Sequence, residues 1–410
     1  MSVHVTGTKR LLRVLPRGNA LAGTATLRWN GRVCRRMLEC RSCGATYESG
    51  PDEPWRCECG HALDFAESPV PDTDEPGVAR QRGLWAFADF LPVGREVTLG
   101  EGWTPVADST EWDAQFKLDY VFPSGSYKDR GAALTLSRAA ELGVERVVED
   151  SSGNAGAAIA QYAARAGVDA DIYVPADAKP SKLDAIEAAG ATPVRIEGSR
   201  QDVTDACVER VEQRSTEWSS GDEPRDEAVG GEAWYASHAW NPAFYAGTET
   251  FAYELAAQRD WSVPDAVVLP LGHGTLFLGA YRGFQKLRAA GWTDDVPRLL
   301  GVQAAGVAPV VEERRGGAAA GTNDAADGIQ IREPARFDQL LAAIDETDGG
   351  AIACGEPETE ATLAALHERG FYVEPTSAVA VAGLEAYRET GTLDGSEDVA
   401  VALTGSGLKA

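Results

Sequence analysis

The sequence predicts an α/β protein of two domains built on parallel sheets, with a small cysteine-bearing segment ahead of them. Three observations point there. From about residue 84 onward, short apolar runs alternate with alanine-rich helical stretches, the pattern of strands joined by helical crossovers. At 410 residues the chain exceeds the usual size of one core, so two domains are expected. Four cysteines crowd into residues 40–59, a stretch too short for a core of its own but suited to a metal staple.

The chain opens with a contrast. Residues 1–36 carry eight Lys/Arg and no Asp or Glu, whereas the other 374 carry 30 Lys/Arg against 63 Asp/Glu, and Met37 follows at once. We therefore expect 1–36 to be a basic extension absent from the native product, with translation starting at Met37. Residues 37–65 read as a short strand-like segment. In it Cys40, Cys43, Cys57 and Cys59 give C-x2-C-x13-C-x-C, with Gly44 and Gly60 just after each pair. Two such knuckles offer four thiolates tetrahedrally, the arrangement structural zinc prefers; a ribbon that has lost its metal is the alternative. Cys34, Cys207 and Cys354 are scattered singles, expected to pack. "ESPVPDTDEPGVARQRG" (66–82) is Pro- and Asp-rich and reads as a linker.

Strands are expected at 145–150, 169–175, 192–198, 265–272, 297–304 and 398–407. Helices are expected at 131–142, 154–166, 180–189, 276–290 and 359–369. Residues 215–232 and 314–328 read as loose. The larger domain takes 84–135 and 236–410, the smaller 136–235.

Charge narrows the function. The formal net charge is −25, which repels phosphate and excludes a general nucleic-acid or anionic-membrane binder. The acidic residues are scattered, and only seven lysines stand against 31 arginines. This reads as adaptation to high salt, where screening weakens self-repulsion. No run of 18 apolar residues exists, so no spanning helix is expected. A cytoplasmic enzyme acting on a small molecule is the default, with a homodimer the expected assembly.

Against that scarcity of lysine, Lys128 in "FPSGSYKDRG" (122–131) follows a Ser-Gly-Ser turn at the mouth of a helix. Three more stretches explain it. "EDSSGNAG" (149–156) is a strand end, a polar turn and a helix opening, where free N–H groups with Ser151, Ser152 and Asn154 suit a small carboxylate. "PLGHGTLF" (270–277) places Gly272, His273, Gly274 and Thr275 between an apolar strand and a helix, a backbone nest fit for a phosphate. "VAVALTGSG" (399–407) ends a strand on Thr404, whose hydroxyl faces the crevice where α/β ligands sit. An amine, a phosphate nest, a carboxylate nest and a hydroxyl suit an aldehyde cofactor with a phosphate arm and an amino-acid substrate. That cofactor is pyridoxal phosphate. Arginine cannot replace the lysine, because guanidinium stays protonated and forms no imine.

With these motifs, "GEGWTP" (100–105) and "EPTSA" (374–378), the chain from about 37 to 410 resembles the threonine synthase family and its relatives among fold-type II pyridoxal-phosphate enzymes, the tryptophan synthase β-like fold. A zinc-ribbon-like segment ahead of GEGxTP is familiar from archaeal-type members. The resemblance implies that Lys128 carries the cofactor and that Asn154 bonds its 3′-oxygen. It also implies that Gly272, His273, Gly274 and Thr275 hold the phosphate, and that Thr404 meets the ring nitrogen. Ser151, Ser152 and Gly153 would lie near the substrate carboxylate, with Ser124 and Ser126 as donors to a substrate phosphate. Ser126 could equally cap the Lys128 helix. The family's asparagine six residues before the lysine is Phe122 here, which removes a polar group near the site. The implied reaction turns O-phospho-L-homoserine and water into threonine and phosphate. An ammonia-lyase of the threonine/serine or diaminopropionate type, or a β-replacement enzyme such as cysteate synthase, is the alternative. His238 in "ASHAW" and His273 are candidates for assisting proton transfer, neither of them chosen as the base.

Overall fold

The computed structural model describes residues 37–73, 77–213, 233–317 and 319–409. It also describes two short strands, β1 (Arg28–Trp29) and β2 (Arg32–Val33), which pair antiparallel. The expectations for the basic extension, for a start at Met37, for Cys34 and for a loose 215–232 lie outside the described residues.

The cysteine segment is a three-stranded antiparallel sheet, in the order β4 (Thr46–Glu48), β3 (Met37–Cys40), β5 (Leu63–Phe65). Its Leu38 and Leu63 are buried. Asp64 is buried too, and takes ion pairs from Arg41 at 2.7 Å, Arg282 at 3.0 Å and Arg336 at 2.9 Å. Burial alone would raise its pKa, but the three guanidinium groups outweigh it and hold the carboxyl well below the usual carboxylate range. Arg138 clasps Glu53 in a second buried pair.

Two parallel sheets follow. The smaller has the order β10 (Thr192–Ile196), β9 (Asp169–Pro175), β8 (Arg146–Glu149), β11 (Trp234–Tyr235) and is parallel throughout. The larger has six strands: β14 (Gly350–Cys354), β13 (Arg298–Ala304), β12 (Ala266–Pro270), β15 (Val399–Leu403), β7 (Ala114–Leu118) and β6 (Val106–Ser109). Only the β6–β7 pair is antiparallel. Strands β12 and β15 are buried along their whole length, as strands covered on both faces must be. The covering helices include α1 (Lys128–Leu142), α2 (Asn154–Ala166), α3 (Pro180–Ala188), α4 (Arg200–Glu212), α5 (Pro242–Thr248) and α6 (Thr250–Gln258). Then come α7 (Thr275–Ala289), α8 (Pro309–Arg315), α9 (Phe337–Glu346), α10 (Glu356–Glu368) and α11 (Pro375–Glu389).

Each expected strand and helix is present, within a few residues at its ends. Two loop expectations need correction. The linker ends at residue 79, because Arg80–Phe90 forms a 3-10 stretch that buries Leu84, Trp85, Phe87 and Phe90. Residues 314–328 are not loose throughout: Arg314 and Arg315 close α8, and Asn323 is buried with its amide donating to Cys354 O and Thr359 Oγ1. Cys207 and Cys354 are buried as packing residues. Among the described residues no helix is long and apolar enough to cross a membrane.

Candidate active site

Open parallel sheets present their ligands at the carboxyl ends of the strands, and three loops there converge. Strand β8 runs into the Ser151–Asn154 turn, β12 into Gly272–Thr275, and β15 into Thr404–Gly407. Strands β12 and β15 are hydrogen-bonded neighbours, so the last two loops lie side by side.

Lys128 is the first residue of α1, with Tyr127 at the N-cap position. Tyr127 N donates to Thr404 O at 2.9 Å, and Ser126 bridges Gly405. The Tyr127 hydroxyl and Thr275 Oγ1 are 2.8 Å apart, and Lys128 Nζ lies 4.2 Å from the centre of the Tyr127 ring. The lysine turn is thus held between the end of β15 and the glycine loop. Two residues further on, Arg130 fixes the helix from below. It donates to Asp119 at 2.8 Å and to Glu254 at 2.8 and 2.9 Å, and Lys117 reaches Glu254 at 2.9 Å. All four side chains are fully buried. Phe122 lies under this guanidinium, 4.8 Å from ring centre to charge, which gives the departure from asparagine a packing role.

The glycine loop fits a phosphate. Gly274 adopts φ 75°, a conformation costly for other residues. A Cβ on Gly272 would press to 3.0 Å from Ile329 Cα. Helix α7 begins at Thr275, so its first N–H groups lack intrahelical partners. His273 Nδ1 is buried with no partner among the described residues. The neighbouring His238 sits 2.7 Å from Glu149 Oε1, its ring 5.2 Å from that of His273. Burial, then the Lys128 charge, pushes His238 down to about 3. Burial, then Asp150, pushes Glu149 well above the carboxylate range. Both groups are driven toward their uncharged forms.

Asn154 opens α2. Its Nδ2 donates to Glu374 Oε1 and Oε2 at 2.9 and 3.0 Å, and its Oδ1 accepts from Lys409 Nζ at 3.0 Å. Glu374 precedes α11 and lies over Gly405, where any Cβ would collide with the carboxylate. Ser377 Oγ is 3.2 Å from Thr404 Oγ1 and accepts from Thr404 N and Gly405 N. Ser151 Oγ accepts from Gly153 N at 3.3 Å, and Ser152 is half-buried in the same turn. Ser124 donates its hydroxyl to Asp129. Ser126 makes no cap to α1, and its Oγ is buried with no partner among the described residues.

Sequence reasoning did not single out Tyr127, Glu374, Ser377, Glu149 or Lys409. One signal was in hand: "EPTSA" supplies both Glu374 and Ser377. The Glu149–His238 pair spans 89 positions and left no local trace.

In the cysteine segment, the Sγ atoms of Cys40, Cys43, Cys57 and Cys59 all lie within 4.8 Å of one another. Cys40–Cys59 and Cys43–Cys57 are each 3.5 Å apart. Zinc–sulfur bonds of about 2.3 Å imply tetrahedral edges of about 3.8 Å, so the cluster could hold zinc with little movement. His61 Nδ1 stands 3.4 Å from Cys59 Sγ, adjacent to the cluster.

Comparison with known proteins agrees with this geometry. Residues 97–405 match the family model described as pyridoxal-phosphate dependent enzyme. Threonine synthase from Methanocaldococcus jannaschii is 32% identical over 395 residues, covering 91% of this chain and 93% of that protein. Threonine synthase from Mycobacterium bovis is 31% identical, covering 82% of this chain and 89% of its own. Among solved structures, maize serine racemase superposes with a TM-score of 0.61 at 20% identity, covering 74% of this chain and 88% of that one. An L-serine ammonia-lyase from Rhizomucor miehei gives 0.60 at 20% identity, covering 74% and 93%; at that identity the likeness is one of fold. With a family match over most of its length and relatives about 30% identical across most of both chains, this chain belongs to the pyridoxal-phosphate dependent enzymes.

Proposed function

We propose that this protein is a threonine synthase, converting O-phospho-L-homoserine and water to L-threonine and phosphate. The observation that carries this reading is its similarity to threonine synthases over as much as 91% of the chain. We place the substrate in the cleft between a smaller lobe, 136–235, and a larger one, 84–135 with 236–410, of which 214–232, 318 and 410 lie outside the described residues.

Lys128, Asn154, Thr404 and the 272–275 loop hold the cofactor. Pyridoxal phosphate, when bound, supplies an electron sink for the bonding pair released at the substrate's Cα. The start of α7 would take its phosphate, Asn154 Nδ2 would donate to its ring oxygen, and the Thr404 hydroxyl would meet its ring nitrogen. Ser151, Ser152 and Gly153 bind the substrate carboxylate. Ser126 offers its unpartnered hydroxyl to the substrate phosphate, whereas Ser124 is already engaged by Asp129. Lys128 takes the Cα proton as base and later returns a proton to that carbon. In the overall change Cβ loses a proton, the Cγ–O bond breaks and phosphate leaves. Water then places its hydroxyl on Cβ, and Cγ gains a proton. The four-cysteine cluster holds structural zinc, and the acidic, lysine-poor composition serves a cytoplasm rich in salt.

Two assays on purified protein decide the matter: phosphate release from O-phosphohomoserine, and 2-oxo acid formation from threonine or serine. We expect the first to dominate. Oxo-acid formation without phosphate release would assign the chain to the lyases instead. Lys128→Ala should abolish the visible cofactor band and lower turnover by at least about 10²–10⁴-fold.

A further inference from the structure

Lys409 lies on the 3-10 turn Gly407–Lys409, beyond β15, and its ammonium reaches back to the site. The Asn154 amide is pinned at both ends, its oxygen by Lys409 and its nitrogen by Glu374. The two ends of an amide are nearly alike in size, so only its partners decide which way it faces. An ammonium can only donate, and an ionised carboxylate can only accept. Burial raises the Glu374 pKa, against the Asn154 amide and the Lys128 and Lys409 charges; with Glu374 ionised, the pair admits one orientation. The slot for Lys409 is built into the turn that presents Lys128. Gly125 has φ 76°, and a Cβ there would fall 2.9 Å from Lys409 Cε. Ser406 N donates to Gly125 O at 2.9 Å and Gly407 N to Tyr372 O at 3.1 Å, which ties the segment down. Burial lowers the Lys409 pKa from its ordinary value, and the Lys128 charge adds to this, against the favourable charges of Glu374 and Asp129.

We propose that Lys409 is a positioning residue for cofactor recognition. It locks the Asn154 side chain so that the NH2 group, not the carbonyl, meets the phenolic oxygen of pyridoxal phosphate. That nitrogen carries two protons, enough to serve Glu374 and the cofactor oxygen together. A flipped amide would set its carbonyl against an anionic oxygen and repel it. This inference rests on the placing of Asn154 at the cofactor in the function proposed above.

The test is equilibrium binding of pyridoxal phosphate to the apo-protein, followed by the visible cofactor band, for wild type, K409M, N154A and the double variant. K409M should raise the dissociation constant roughly tenfold to a hundredfold, the range for one lost charge-assisted hydrogen bond. In the N154A background the same change should have almost no effect, because the amide it orients is gone. K409R, which keeps a donor on a long stem, should bind close to wild type, and it carries the test if K409M fails to fold. Wild-type affinity in K409M, affinity in K409R as weak as in K409M, or losses that simply add in the double variant would each overturn the proposal. Failure of the wild type to bind the cofactor at all would instead overturn the reading of the site.

Discussion

The hydroxyl of Tyr127 meets Thr275 Oγ1 at 2.8 Å, so the residue before Lys128 is joined to the first residue of the helix that follows the glycine loop. Tyr127→Phe removes that bond while keeping the ring under Lys128. Its cost should be about 0.5–1.5 kcal/mol, read as weaker cofactor binding with near-normal thermal unfolding of the apo-protein. An unchanged cofactor dissociation constant would show that the two loops do not depend on each other through this contact.

Two buried carboxylates, Asp119 and Glu254, rely on the buried Arg130. Arg130→Met leaves Asp119 and Glu254 short of their main partner, and breaking such a pair costs roughly 3–5 kcal/mol. Urea denaturation should show that loss. The pH dependence follows from Glu254. Burial would raise its pKa, but Arg130 and Lys117 outweigh it and hold it at about 2, below the ordinary 4.5. The stability it contributes is therefore present above pH 4.5 and is lost as pH falls toward 2.

Asp129 gives the opposite sign. Burial pushes it up to about 6 from an ordinary 3.8, against the opposing effects of Ser124 and Lys409. The folded state holds this proton more tightly than the unfolded one. Its contribution is complete below pH 3.8 and is lost as pH rises through about 6. Asp129→Asn stays neutral throughout. Its stability relative to wild type should therefore rise between those two pH values, as measured by denaturant titrations at each pH.

The cysteine cluster should bind zinc stoichiometrically, which elemental analysis of the purified protein checks. Cys57→Ser should lose the metal and lower the midpoint of thermal unfolding, and a strong chelator should do the same to the wild type. Full stability in a protein shown to be metal-free would mark the segment as a ribbon that folds on its own packing.

The loops of the candidate site were legible in the sequence wherever they carried local signatures. The Ser-Ser-Gly-Asn turn, the Gly-His-Gly-Thr loop and Thr404 all follow apolar strands, and those strands are easily read because both faces are buried. Strand β7 was missed for a physical reason. It buries Lys117 one strand in from the edge of the large sheet, where a charge contradicts the expected pattern, and its partner Glu254 lies 137 positions away. Strand β11, only two residues long, offers no periodicity to detect. Helix α11 went unread although its opening motif was recognised, because it is buried along most of its length and shows no polar face. Glu374 shared that fate: its role depends on Asn154, 220 positions away.

Asp64 ties the cysteine segment to Arg282, and Arg282 lies seven residues along the same helix from Thr275, about two turns. One helix therefore has its first turn at the Gly272–Thr275 loop and its shaft tied to the cysteine segment. Slack in that segment would travel along the helix as movement of the Gly272–Thr275 loop, two turns away.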